Sequence, residues 1–146
     1  MALLDCQVAM LANMGANYLV GGKVPQRAGN AHQNVVPYQV FEVKAPADAP
    51  SGSKDHMILA VGNDSQFAKF CAVSGVPELA SNPLFATNSN RVLNRAQLVP
   101  QLEVVMKSRR KADWLSALEA AKGFAPVALT VDPATVAPTA RGGDRG

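Results

Sequence analysis

Cysteine and histidine are scarce, with two of each among 146 residues. Cys6 and Cys71 stand far apart, and the sequence contains no Cys-x-x-Cys pair and no Cys/His cluster. A disulfide framework and a metal site both need such groupings, so neither is expected. Each cysteine lies on an apolar pattern instead, which reads as a buried thiol in a reducing compartment. An excess of one charge is also missing. The formal net charge is +3 and the Lys and Arg residues are scattered, which argues against nucleic acid as a partner. The basic cluster Arg109, Arg110, Lys111 is short and precedes a helical pattern. A solvated helix start is expected there rather than an anion contact.

Long hydrophobic runs are absent as well. No segment reaches the ~18 consecutive apolar residues of a membrane span. The N-terminal stretch MALLDCQVAMLANMGANYLV is apolar but is interrupted by Asp5, Gln7, Asn13 and Asn17. It has no basic residues ahead of its apolar part, so a signal peptide is not expected.

What is present suits one domain at roughly 150 residues per domain. Hydrophobic residues make up 48% of the chain, enough for a sizeable core. Leu4, Val8 and Leu11, with Met10 and Met14, recur at helical spacing and predict a single helix over 2–20. That helix is apolar around much of its circumference and needs cover on more than one side. The rest of the chain offers little to cover it, which points to a missing partner. Gly21-Gly22 stops it.

A polar loop marked by Gly and Pro follows over 23–37. Tyr38–Val43 alternates as a strand. The insert 45–53 is rich in turn formers and is expected to be mobile. Met57–Val61 reads as a buried strand that can pair with the first in a hairpin. Asn63-Asp64-Ser65 offers an N-cap, and Phe67, Phe70, Cys71 and Ser74 continue a helix that Gly75 ends. Pro77 opens a short turn, and Thr87–Asn90 marks another cap. Leu98, Leu102, Val105 and Met106 form one helical face. Trp114, Leu115, Leu118 and Ala121 form another, with Gly123 as its stop. A last strand is expected over 126–131, and the tail from Pro133 has no apolar period and is expected to be disordered.

Several phrases carry a family likeness. They are MALLDCQVAMLANMGANYL, RAGNAHQNVVPYQVF, HMILAVGNDSQFAKFC, and the spaced set Pro77-Glu78-Leu79, Phe85, Thr87-Asn88, Arg91, Asn94-Arg95. Together they resemble the class III CoA-transferases of the formyl-CoA and carnitine CoA-transferase type. They are nearest the branch that takes succinyl-CoA and dicarboxylic acids. The likeness runs from about Met1 to about Pro126. It implies an α/β protein: residues 1–24 as a helix of a Rossmann-like large domain, 25–125 as an α+β small domain with an active-site loop at 27–39, and 126–146 as a return strand and tail.

The resemblance also implies an interlocked homodimer when full length. The substrates would be an acyl-CoA and a carboxylic acid, with coenzyme A thioester as substrate and no permanently bound cofactor or metal. The location would be the cytoplasm, or the mitochondrial or peroxisomal matrix in a eukaryote. In the family an aspartate upstream of this helix carries the acyl group. Asp5 is therefore not the nucleophile by position and reads as a surface or helix-start carboxylate.

By the same likeness, Gly29, Asn30, Ala31, His32 and Gln33 correspond to a loop that shields the acyl-aspartate from water. His32 and Gln33 can donate hydrogen bonds to a second carboxylate, with a turn cap as the alternative for His32. Arg27 suits a carboxylate or phosphate contact, with a surface salt bridge as its alternative. Tyr38 and Gln39 are expected to hold the base of the loop. The family pattern is broken in three places. The insert between Val43 and His56 is longer than the usual turn, Arg110 stands where a capping Thr is common, and the return turn is shortened to Gly123–Pro126. Losing that cap costs ~1 kcal/mol. Two readings stay open beside transfer: a 2-methylacyl-CoA racemase-like fragment, and a non-catalytic subunit or degenerate copy.

Overall fold

The computed structural model describes residues 2–121. The expected stop at Gly123, the return turn 123–126, the strand 126–131 and the tail lie outside the described residues. The elements are α1 (Leu3–Met10), α2 (Ala12–Gly21), β1 (Tyr38–Val43), β2 (Asp55–Ala60), α3 (Asp64–Ser74), α4 (Glu78–Ser81), α5 (Asn88–Leu93), α6 (Arg95–Met106) and α7 (Lys111–Ala120). This mixture of helices with a small antiparallel sheet is the α/β class the sequence predicts.

The hairpin pairs Tyr38 with Ala60 and Val43 with Asp55 in antiparallel register. Its period of two sends Phe41, Val43, Met57 and Leu59 to one buried face. Two strands alone are marginal in water, and here α6 packs on β1 and α7 on β2. The insert closes with turns in which Ala49 and Ser53 N–H donate to the Pro46 and Pro50 carbonyls.

Asn63 caps α3 by accepting from Gln66 N–H, and Gly75 ends that helix in the left-handed region at φ 77°. Phe67, Phe70 and Cys71 of α3 share one core with Leu98, Leu102 and Met106 of α6, all essentially inaccessible to solvent. Trp114 closes this core, stacking on Phe70 at 6.1 Å and donating its indole N–H to the Met106 carbonyl at 2.9 Å. Of the two faces predicted on α6 and α7, Val105 and Leu115 are only partly buried. Thr87 caps α5 by accepting from Asn90 N–H.

Three expectations are corrected. The single helix over 2–20 is two helices. Leu11, at φ −89° and ψ 14°, donates to the Val8 carbonyl in a tight three-residue turn that separates α1 from α2. Neither helix buries a side chain among the described residues, so no tertiary packing enforces a continuous rod. The lack of cover itself agrees with the sequence: Leu3, Met10, Leu19 and Val20 are each at least 80% exposed. For the same reason Cys6, on α1, is exposed rather than buried, whereas Cys71 is buried as expected.

The basic cluster is the third correction, because it is not simply solvated. Arg109 lies over the Trp114 ring and donates to the Val73 carbonyl, and Lys111 pairs with Asp55. The Arg109 carbonyl accepts from Lys44 N–H, tying this corner to the end of β1. Arg110 does occupy the N-cap of α7 with no side-chain cap, and it pairs loosely with Asp113 at 3.6 Å. Among the described residues no helix is long and apolar enough to cross a membrane, and no group of three or more metal-ligating side chains comes together.

Candidate functional site

The loop between α2 and β1 is fastened along one side to the edge of β1. His32 N–H donates to the Tyr38 carbonyl at 2.8 Å, and Val40 N–H donates to Asn30 Oδ1 at 3.0 Å. The His32 ring stacks on Tyr38 at 5.4 Å. Its Nδ1 accepts from Asn34 N–H at 3.0 Å, which leaves Nε2 as the donor of a neutral ring. The turn-capping alternative for His32 is thus the one with a bond to carry it. Gly29 holds φ 62°, a conformation that favours glycine. Tyr38 meets the loop through its carbonyl and its ring, both at His32. Gln39 contributes through its strand pairing with Leu59.

The other side of the loop is gripped by side chains from α5 and α6. Asn88 Oδ1 accepts from Val36 N–H, and its Nδ2 donates to the Asn34 carbonyl. Arg91, wholly buried, donates from Nε to the Val36 carbonyl at 2.7 Å and from Nη1 to the Phe85 carbonyl at 3.0 Å. Its Nη2 pairs with Asp64 at 2.9 Å, and Phe67 lies beneath the guanidinium. Arg95 Nη2 donates to the His32 and Gln33 carbonyls at 2.7 and 2.9 Å. Burial holds the Arg95 pKa below the ordinary arginine value.

A third grip comes from α2. Asn17 Nδ2 donates to Gln33 Oε1 and Asn34 Oδ1, and Asn17 Oδ1 accepts from Asn34 Nδ2. Gln33 Nε2 donates to the Gln26 carbonyl. The Gln33 amide is thus engaged at both ends, by α2 and by the loop, and its Nε2 keeps a second N–H.

An open groove of about 680 Å³ lies beneath the loop, with Asn17, Lys23, Arg27, Gln33, Asn34 and Arg95 among its lining. Arg27 is exposed and makes no hydrogen bond or ion pair among the described residues, so the salt bridge that was its alternative is not formed there. Among the described residues, no carboxylate, thiol or hydroxyl side chain lines the groove. The arrangement can therefore bind and cover a ligand but offers none of these groups for attack. Asp5 sits exposed in the first turn of α1.

The structure brings Arg27 and Gln33 to the groove. It places Asn30, His32, Tyr38 and Gln39 on the side of the loop that meets β1. Sequence reasoning missed Asn17, Lys23, Asn88, Arg91 and Arg95 as site residues. Asn88, Arg91 and Arg95 stand in the motif that carried the family likeness, but no role was read from them. Asn17 and Lys23 carried no signal.

A small hairpin braced by helices, with a clamped loop beside an open groove, is the architecture of the described residues. The chain belongs to CoA-transferase family III, whose family model matches residues 1–142. A succinate–glutarate CoA-transferase of Agrobacterium fabrum is 41% identical over 119 residues, covering 82% of this chain and 28% of that protein. The succinyl-CoA:glutarate CoA-transferase of Homo sapiens is 37% identical over 117 residues, covering 80% of this chain and 25% of that protein. A crystal structure of a CAIB/BAIF family protein from Brucella suis superposes with a TM-score of 0.59 at 45% identity, covering 82% of this chain and 29% of that one. The chain spans only about a quarter to a third of the length of these relatives.

Proposed function

We propose that this chain is part of a CoA-transferase that moves CoA from an acyl-CoA donor, such as succinyl-CoA, to a short-chain carboxylic or dicarboxylic acid. The nucleophilic aspartate lies outside residues 1–146. Its carboxylate attacks the thioester carbonyl, the C–S bond breaks, and CoA thiolate leaves an acyl-aspartate anhydride. The thiolate then attacks the aspartyl carbonyl, the donor carboxylate departs, and an aspartyl-CoA thioester remains. The acceptor carboxylate repeats the sequence in reverse.

This chain supplies the loop over the site. An anhydride open to water hydrolyses, so a fixed cover protects turnover. The observation that carries the reading is the loop 26–36, gripped from β1, α2, α5 and α6 above a groove that lacks carboxylate, thiol and hydroxyl side chains. Residues 1–24 belong to a large domain, and residues 25–125 to a small domain. The exposed apolar faces of α1 and α2 are covered by the rest of an interlocked dimer.

The test is a graft. Residues 2–121 replace the matching segment of the Agrobacterium relative, and transfer from succinyl-CoA to glutarate is measured. A folded, dimeric graft is expected to form glutaryl-CoA. A folded graft that forms none, or that only exchanges the α-hydrogen of a 2-methylacyl-CoA, refutes the reading. The 146-residue chain alone is expected to give no transfer, and turnover by it would place the nucleophile inside this sequence.

A further inference from the structure

Among the described residues, three cations, Lys23, Arg27 and Arg95, line the groove beneath the loop, and no carboxylate does. None of the three forms an ion pair among the described residues; Lys44 and Arg109 form none either, but neither of those lines the groove. Arg95 is the informative member. Its guanidinium is half-buried and held by two backbone carbonyls. Carbonyl dipoles satisfy N–H groups but do not neutralise a full charge, and a charge drawn out of water is costly unless it is paired. The cost shows in the lowered Arg95 pKa, whose cause is burial. A rigid loop thus fixes one uncompensated guanidinium on the groove wall, and two exposed cations share the same space.

We propose that this groove is an oxyanion subsite, in which Arg95, Arg27 and Lys23 receive a carboxylate or phosphate group of the substrate. The inference rests on the transferase reading and deepens it. Two sources share the chemistry: the second carboxylate of a dicarboxylic acyl acceptor, and the phosphates of coenzyme A. Either presents paired oxygens to the guanidinium fork. Arg95 acts both as a positioning residue for the loop and as the fixed charge of the subsite. Arg27 and Lys23 are free to close on the ligand.

The experiment follows the side-chain Nε–H signals of Arg27 and Arg95 by NMR in the 146-residue chain. Glutarate, adenosine 3′,5′-bisphosphate and neutral glutaramide are titrated at constant ionic strength. Saturable shifts with glutarate alone identify the dicarboxylate source, and shifts with the bisphosphate alone identify the CoA source. Shifts with both support the shared chemistry, and glutaramide is expected to give none. The double variant Lys23→Ala, Arg27→Ala is expected to weaken binding about tenfold or more. Both residues are exposed, so the fold should survive, and unchanged Trp114 fluorescence would verify it.

The proposal is overturned if neither anion gives a saturable shift, if glutaramide binds as well, or if the double variant binds unchanged. A graft that transfers CoA while this chain binds neither anion removes the subsite and leaves the transferase reading. Saturable binding beside an inactive graft does the opposite.

Discussion

Replacing Arg91 by methionine removes every donor from the best-buried polar side chain among the described residues and leaves a shorter, unbranched apolar stem. The Arg91 side chain is 0% exposed. Its loss strands the Val36 and Phe85 carbonyls, which accept at 2.7 and 3.0 Å. An orphaned buried acceptor costs about 1–3 kcal/mol. The Asp64 partner is 53% exposed and returns to water, so that pair adds only ~1 kcal/mol or less. The contact with Phe67, 4.4 Å from guanidinium carbon to ring centroid, is partly replaced by a sulfur–aromatic contact. Methionine also avoids the desolvation of a buried guanidinium, which offsets part of the loss. The net expectation is a destabilisation of about 2–4 kcal/mol, dominated by the two carbonyls. Lysine at this position keeps the charge without the fork and should be no better. Urea unfolding is the assay, read from Trp114, the one tryptophan in the chain and wholly buried. A variant Arg91→Met within about 0.5 kcal/mol of the parent would refute this account, because surface-like substitutions fall in that range.

The two thiols should separate cleanly. A maleimide is expected to label exposed Cys6 in the folded chain and to reach Cys71 only on unfolding, because burial pushes the Cys71 thiol from 9.0 up to about 12. A raised thiol pKa means the folded state keeps its proton longer than the unfolded one. Stability should hold below pH 9 and fall as pH rises toward 12, with a slope from this group approaching ~1.4 kcal/mol per pH unit. Cys71→Ala should lose that slope in urea titrations at stepped pH. Gly29→Ala places a Cβ in open space but at φ 62°, so a backbone cost of about 1 kcal/mol is expected as a lowered melting midpoint. Asn17→Ala should cost no more than ~1 kcal/mol, because its bonds are largely exposed. It should nonetheless speed hydrogen exchange at Gln33 and Asn34, and unchanged exchange would show that α2 does not hold the loop.

The parts legible in the sequence are those whose cause is local. The hairpin shows because Phe41, Val43, Met57 and Leu59 alternate with less buried neighbours, and a period of two has one structural meaning at that length. Asn63 and Gly75 show because capping and the left-handed region select few residue types. The break at Leu11 does not show, since leucine is a good helix former and nothing in 2–20 opposes a continuous helix. Helix continuity there depends on packing that the described residues do not provide. Arg109 and Lys111 were misjudged for a related reason. A charge run on a helix start is solvated by default, and only the folded chain brings Val73, Trp114 and Asp55 to meet it.

The loop shows the same limit from the other side. Its own residues were legible, because Asn30 and His32 bond to β1 over short stretches of sequence and His32 also bonds to Asn34. What holds it in place was not, because Asn88, Arg91 and Arg95 reach it across 52 to 63 residues of sequence. No periodicity tells a buried arginine from a solvated one. The difference lies in which carbonyls stand opposite, and those belong to the loop. On the transferase reading proposed above, the grip has a functional consequence. Arg91 and Asn88 fix the Val36 end of the loop to the core, and Arg95 fixes its middle, while Arg27 remains unpaired among the described residues. A cover anchored in this way keeps its carbonyls and Arg95 at fixed positions on the groove wall. Only its leading side chains are left to adjust to a ligand, and for such a cover the conformational cost of binding falls on few residues.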